Sequence, residues 1–84
     1  MITVSAVANE VRDEAIRAIK LWPPMHSGHE GYSVILEELE ELKTHVFTNQ
    51  KKRDLAEMRK EAIQVAAMAV RFVFDVCDGG RGNV

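Results

Sequence analysis

The sequence predicts an all-α fold with three helices, for three reasons. Apolar residues recur at intervals of three and four over three long segments, which is the spacing of one helix face. The alternation of apolar and polar residues that marks a strand is missing. Proline, glycine and helix-capping residues fall mostly between the segments. With 84 residues, the chain is expected to form a single domain over residues 1–78, followed by a flexible tail over 79–84.

The first helix is predicted to run from about Thr3 to Leu21. Small and branched apolar residues form one face of this segment, whereas charged residues such as Arg12 and Arg17 lie largely opposite. The helix must end before Pro23 and Pro24, because proline has no amide hydrogen with which to continue the backbone ladder.

The second helix is predicted to begin after Ser27 and to end near Phe47. Ser27 and Glu30 have the spacing of a capping box, in which each side chain satisfies a backbone amide at the start of a helix. The predicted core stripe of this helix consists of Ile35, Leu39, Leu42 and Val46.

The third helix is predicted to begin after Asp54, a favourable capping residue, and to end near Cys77 before the glycines at 79 and 80. Its predicted core stripe consists of Met58, Ala62, Val65, Ala69, Phe72 and Val76. The opposite flank is also apolar, so the three helices of one chain cannot cover it completely. We therefore expect a homo-oligomer, either a dimer or a tetramer, in which a partner chain completes a core of the four-helix-bundle type.

Composition excludes several classes of function. The net charge of -2 and the pI near 5.9 provide no basic field that would attract a nucleic-acid polymer. No apolar run approaches the roughly 20 residues that a membrane span requires. The single cysteine, Cys77, excludes an internal disulfide, and the first residues lack the pattern of a signal peptide. The sequence therefore predicts a cytoplasmic protein without membrane association.

Two acidic motifs indicate a metal site. Glu38 and Glu41 share one flank of the second helix, and Glu61 and Gln64 share one flank of the third, because positions three apart lie close together on a helix. Glutamates in the first motif alone are equally typical of a solvated surface. Glu61 is less easily explained in this way, because it begins an almost wholly apolar segment where an unpaired carboxylate is costly. Carboxylates from facing helices form metal sites in helical bundles, and such oxygen ligands suit Mg²⁺ or Mn²⁺.

The two motifs together resemble the all-α nucleoside triphosphate pyrophosphohydrolases of the MazG-like group. Glu37-Glu38-Leu39-Glu40-Glu41 matches the Glu-Glu-x-x-Glu element of that family, and Glu61-Ala62-Ile63-Gln64 matches its Glu-x-x-Asp element except at the last position. The resemblance implies Mg²⁺-dependent cleavage of a nucleoside triphosphate to monophosphate and pyrophosphate, in house-cleaning or in the control of nucleotide pools. By position, it implies that Glu38, Glu41, Glu61 and Gln64 ligate the metal, and that Glu37 acts with the three glutamate ligands in catalysis.

Glutamine in the place of aspartate removes one ligand charge, so an alternative function stays open. The chain could be a non-catalytic helical module of the same descent that binds nucleotides or proteins. Four further residues are candidates for substrate binding: Lys43 and Arg71 for the phosphates, and Trp22 and His29 for a pocket around the base. Ordinary surface charge is the more common explanation of the first two, and a helix connection with Trp22 against the core is the alternative for the other two.

Overall fold

A computed structural model describes residues 1–80 and confirms the all-α fold, with three long helices and no strand among those residues. The helices are α1 (Val4–Leu21), α2 (Gly28–Val46) and α3 (Leu55–Phe72). A short 3-10 turn (Gln50–Lys52) lies in the connection between α2 and α3, and a π-helical turn (Val73–Cys77) extends α3. The last four positions of the predicted tail lie outside the described residues.

The helices begin where the sequence predicts, because each has a side chain that caps its first amides. Thr3, Ser27 and Asp54 each accept a hydrogen bond from a backbone amide of the following first turn, at 2.9 to 3.0 Å. Glu30 completes the cap of α2, since its carboxylate accepts a hydrogen bond from the His26 amide at 3.2 Å. These local bonds satisfy amides that have no partner inside the helix.

The end of α3 is wider than an ordinary α-helix. The Asp78 amide donates to the Val73 carbonyl, five residues back, at 2.9 Å. Gly79 then adopts the left-handed conformation with φ 59°, and the Gly80 amide donates to the Phe74 carbonyl at 2.7 Å. Glycine allows this reversal at little steric cost, which explains why the helix ends here.

Helix α3 lies at the centre of the fold, with α1 and α2 packed on either side of it. Helix α2 runs antiparallel to α3, because Gly31 near its start lies against Phe72 near the end of α3. The approach is close: a Cβ atom at Gly31 would lie 2.8 Å from Cε2 of Phe72. The small buried core between the helices consists of Ala15, Ala18, Ala67 and Met68.

The three helices form a flat layer rather than a closed bundle. The extents are 46 × 29 × 18 Å, and the smallest of them is less than twice the diameter of one helix, which is about 10–12 Å. The radius of gyration is 14.0 Å, whereas about 12 Å is typical of a compact domain of this length. A layer this thin leaves α3 covered on only part of its surface.

The burial pattern of α3 differs from the predicted core stripe. Ala62 and Ala69 were expected inside but are exposed, and so is Val73 in the π-helical turn. Glu61, Arg71 and Asp75 are buried instead. On α2, Leu39 of the predicted stripe is also 46% exposed. The prediction was wrong for the single chain because apolar periodicity marks the apolar side of α3, whereas the side that packs against the neighbouring helices also carries charged residues.

None of the described helices combines the length and the apolar character that crossing a bilayer requires.

Candidate functional site

Three glutamates converge where α2 and α3 pack. Glu38 and Glu41 lie one turn apart on α2, and Glu61 faces them from α3. One carboxylate oxygen from each of the three lies within 4.8 Å of the others. The antiparallel packing of the two helices therefore produces the convergence that the two sequence motifs predict.

Neighbouring carboxylates oppose the ionisation of Glu38 and of Glu61. Desolvation, followed by the charges of Glu41, Glu61 and Glu37, raises the pKa of Glu38 to about 7. Burial and the neighbouring Glu41 raise the pKa of Glu61 as well. Glu61 is only 9% exposed, and among the described residues no amide, guanidinium or hydroxyl group donates a hydrogen bond to it. Two carboxyl groups in contact can share a proton or a cation, and a divalent ion is the stronger neutralising group at neutral pH.

The cluster opens into a cleft of about 580 Å³ that lies between all three helices and the connection after α1. Among the described residues, six glutamates but only three basic side chains line this cleft. The glutamates are Glu14, Glu30, Glu37, Glu38, Glu41 and Glu61, and the basic residues are Arg17, Lys60 and Arg71. Because acidic groups are in excess, an anionic ligand could enter only together with cations.

Arg71 and Asp75 connect the cleft to the loop that precedes α2. Arg71 Nη2 donates to the Pro23 carbonyl at 2.6 Å, and Arg71 Nε lies 3.6 Å from a carboxylate oxygen of Asp75. The same Asp75 oxygen accepts the Met25 amide at 3.1 Å, and Met25 and Asp75 are fully buried. These bonds hold the loop against α3, so Arg71 contributes mainly to the shape of the cleft wall.

Gln64 lines the same cleft but interacts with α1. Its side chain hydrogen-bonds to Glu14, which also accepts two hydrogen bonds from Arg17 at 2.6 and 2.9 Å. Hydrogen bonds from Arg17, with a smaller contribution from Gln64, lower the pKa of Glu14 although burial opposes them. An amide nitrogen that donates to Glu14 leaves the amide oxygen of Gln64 as its only possible metal ligand.

The structure brings together some of the predicted substrate residues but not all of them. Glu37 and Trp22 are exposed side chains of the cleft wall, and Arg71 is a buried one. Lys43 and His29 do not line the cleft; His29 lies in a separate surface depression with Gly28, Tyr32 and Ser33.

Sequence reasoning missed three residues that α1 and α3 contribute to the cleft, namely Glu14, Arg17 and Lys60. The Glu14–Arg17 spacing on the polar face of α1 was the available signal, but it is also typical of a surface ion pair. Only the placement of α1 beside α3 shows that the pair borders the site.

The donor set suits a hard divalent cation. Three carboxylates from two helices offer oxygen ligands, which Mg²⁺ and Mn²⁺ prefer, and the open cleft leaves room for water and a ligand in the remaining positions. A cation would also offset the desolvation and the neighbouring charges that raise the pKa of Glu38. The residues present therefore fit the magnesium ion that the motif resemblance implies.

Comparisons with protein-family models, with curated proteins and with solved structures find no match for this chain.

Proposed function

We propose that the protein is a Mg²⁺-dependent nucleotide pyrophosphohydrolase that cleaves a nucleoside triphosphate to monophosphate and pyrophosphate. The observation that carries this proposal is the convergence of Glu38, Glu41 and Glu61 at the edge of a cleft large enough for a nucleotide. The acidic excess of the cleft supports a substrate that arrives with its own cations, as a triphosphate does. The activity would serve to clear unwanted nucleotides or to control a nucleotide pool in the cytoplasm.

The residues of the cleft would have different roles, which follow from their chemistry. Glu38, Glu41 and Glu61 would hold the metal, with the amide oxygen of Gln64 as a neutral fourth ligand. When bound, Mg²⁺ supplies charge neutralisation at the phosphates and lowers the pKa of a water molecule. Glu37, an exposed side chain of the same cleft, would orient a water molecule for attack on the α-phosphorus, with the bond to the bridging oxygen breaking and pyrophosphate leaving.

The basic and aromatic residues of the cleft suit the rest of the nucleotide. Arg17 of α1 and Lys60 of α3 present cationic groups to the cleft, where the phosphates would lie. Trp22 is 59% exposed at the wall, and its indole ring offers a surface for base stacking.

The test is a measurement of pyrophosphate and of orthophosphate release from a panel of nucleoside triphosphates with Mg²⁺ or Mn²⁺. We expect pyrophosphate and the monophosphate as products, and we expect Glu61→Gln to reduce turnover by about a hundredfold or more, as loss of a group at the reacting charge does. Glu40→Gln is the matched control, because Glu40 is an exposed glutamate of α2 that does not line the cleft. Equal losses in the two variants would contradict the assignment of the site.

The alternative function, a non-catalytic binding module, predicts a different result in the same experiment. If the wild type binds Mn²⁺ and nucleotide but releases no pyrophosphate from any substrate, hydrolysis is excluded and a binding module remains. The neutral Gln64 ligand and its bond to Glu14 favour that alternative, since both weaken the metal site.

We further propose that the chain forms a homodimer through the face of the layer opposite the cleft. That face carries exposed apolar residues of α3, which include Ala62, Ala69, Val70 and Val73, and it continues into an apolar groove between α3 and α1. A second copy placed there would add helices over α3 and thereby complete a four-helix core. Analytical ultracentrifugation at micromolar concentration tests the proposal, and a strictly monomeric species would exclude it.

A further inference from the structure

A second group of possible metal ligands lies one helical turn from the first. His45 on α2 is one turn beyond Glu41, and Glu57 on α3 is one turn before Glu61. Because the helices run antiparallel, both displacements point towards the same end of the layer. One ligand atom from each of His45, Glu57 and Glu61 lies within 4.8 Å of the others. Glu61 belongs to both groups, so the two groups are adjacent along the α2–α3 groove.

This second group differs from an ordinary surface cluster in two respects. It contains an imidazole, which is half-buried between the two helices rather than extended into solvent. It also contains Glu61, whose side chain is only 9% exposed and lies beside the Glu41 carboxyl. The Glu61 side chain has His45 close on one side and the Glu41 carboxyl in contact on the other. A carboxylate held beside another carboxyl is stabilised by a shared proton or by a cation, and the half-buried imidazole of His45 offers a further ligand for a cation.

We propose that His45, Glu57 and Glu61 form a second metal site, selective for a first-row transition metal such as Zn²⁺ or Co²⁺, with Glu61 bridging it to the carboxylate site. The imidazole decides the selectivity, because nitrogen ligands favour these ions over Mg²⁺. The geometry requires only small rotations: bonds of about 2.1 Å in a tetrahedral site place ligand atoms about 3.4 Å apart. The remaining positions would be open to water. This site does not depend on nucleotide hydrolysis, although it shares one ligand with the proposed magnesium site.

Cobalt provides the direct test, because its visible absorption reports on coordination and on nitrogen ligation. The metal-free full-length chain is titrated with Co²⁺, and the same titration is made with His45→Ala and with Glu57→Gln. We expect each substitution to weaken Co²⁺ binding by about tenfold or more and to shift the visible bands. His26→Ala is the matched control, since this exposed histidine lies in the loop before α2, and it should leave both quantities unchanged.

Mg²⁺ binding separates this proposal from the proposed function. Mg²⁺ affinity should be unchanged in His45→Ala, because oxygen ligands alone hold that ion, and circular dichroism should show that the variant is folded. If Co²⁺ affinity and spectrum do not change in His45→Ala, the second site is excluded while the carboxylate site stands. If Co²⁺ binding depends on His45 but no nucleotide is hydrolysed, the second site stands and the proposed activity does not. If His45→Ala fails to fold, Glu57→Gln provides the test: a Co²⁺ affinity and spectrum equal to those of the wild type would exclude the site.

Discussion

The two faces of α3 differ from those of an ordinary surface helix, because charged residues are buried on one face and apolar residues are exposed on the other. The face towards α1, α2 and the cleft carries Glu61, Arg71 and Asp75, all buried. The face away from them carries Ala62 and Ala69, both exposed. A surface helix normally buries its apolar stripe and exposes its charges. Here the inner face carries Ala67 and Met68 of the small core together with three charged side chains, and these charges must be satisfied by specific partners. The outer face is apolar, and only another molecule can cover it.

The two faces of α3 are stabilised by different means. On the inner face, the polar contacts are few and specific: an ion pair, a carbonyl, a backbone amide and a carboxylate cluster that suits a cation. On the apolar face, small side chains give a smooth surface that favours close helix packing but has no directional bond. Changes to the inner face should therefore affect folding, metal binding and pH dependence, whereas changes to the apolar face should affect association.

The largest effect on stability is expected from Asp75→Ala, which removes a buried charge from the inner face of α3. Asp75 is fully buried. Its removal takes away the acceptor of the Met25 amide and the carboxylate that lies next to Arg71. Breaking a buried pair by removing one partner typically costs about 3–5 kcal/mol. We expect a loss of that size in the free energy of unfolding, measured by urea denaturation at constant protein concentration.

A double variant shows whether the charge or the shape is responsible. Asp75→Leu with Arg71→Met removes both charges and keeps most of the volume, so it should cost less than Asp75→Ala alone. If the double variant is the less stable of the two, the hydrogen bonds to the loop at Pro23 and Met25 matter more than the buried charge.

The second-largest effect is expected from a charge placed on the apolar face of α3. Ala69→Glu places a charge in the middle of the exposed apolar face without disturbing the helix, because glutamate is a good helix former. If a second copy covers this face, the dissociation constant of the dimer should rise about a hundredfold, which corresponds to about 2.8 kcal/mol. Sedimentation equilibrium measures this quantity directly.

Ala6→Glu is the matched control, since Ala6 is an exposed alanine in the first turn of α1. It should leave the dissociation constant unchanged. Equal weakening by both variants would indicate a general effect of charge rather than an interface at α3.

Local features of the fold could be predicted from the sequence because they depend on neighbouring residues. Thr3, Ser27 and Asp54 cap their helices as expected, since capping bonds join positions two or three apart. The convergence of Glu38 and Glu41 with Glu61 was also accessible, because it follows from helical spacing and one antiparallel contact. The role of this cluster in binding a metal remains a prediction.

The rest depends on contacts between distant parts of the chain. Arg71 and Asp75 have the spacing of an ordinary surface ion pair, and nothing local shows that a backbone carbonyl at Pro23 and an amide at Met25 complete their burial. The orientation of α3 could not be predicted either, because the side that packs against α1 and α2 carries charges whose partners are distant in the sequence. Lys43 was chosen for its charge near the motif, yet it does not line the cleft.

A third prediction concerns pH and uses the carboxylate cluster of the inner face. The pKa of Glu38 is raised to about 7 from the usual 4.5, mainly by desolvation, so the folded state favours the protonated form. The resulting stabilisation is complete below the unfolded pKa and is lost as pH rises through about 7. The melting temperature of the metal-free protein should therefore fall between about pH 5 and about pH 8, and Glu38→Gln should reduce that fall.

Metal binding should follow the opposite trend, since a cation requires the deprotonated ligand. Below pH 7 the Mn²⁺ affinity should decrease by about tenfold for each pH unit, if one proton is displaced. Calorimetric titration at several pH values measures this slope. An affinity that is independent of pH would show that Glu38 is not a ligand.

The smallest effect is expected from Gln64→Asp, because this change should strengthen metal binding but weaken the packing of α1 against α3. Aspartate would supply the anionic fourth ligand that the motif resemblance implies, so Mn²⁺ affinity should rise. The same change removes the hydrogen bond between Gln64 and Glu14 and places two carboxylates side by side, which should lower the stability of the metal-free protein by about 1 kcal/mol. Thermal unfolding with and without Mn²⁺ separates the two effects: the variant should melt lower without metal and gain more from it. A variant that is destabilised but binds Mn²⁺ no more tightly would show that position 64 serves the contact with α1 rather than the metal. Packing between helices, and not ligand binding, would then determine which residue this part of α3 carries.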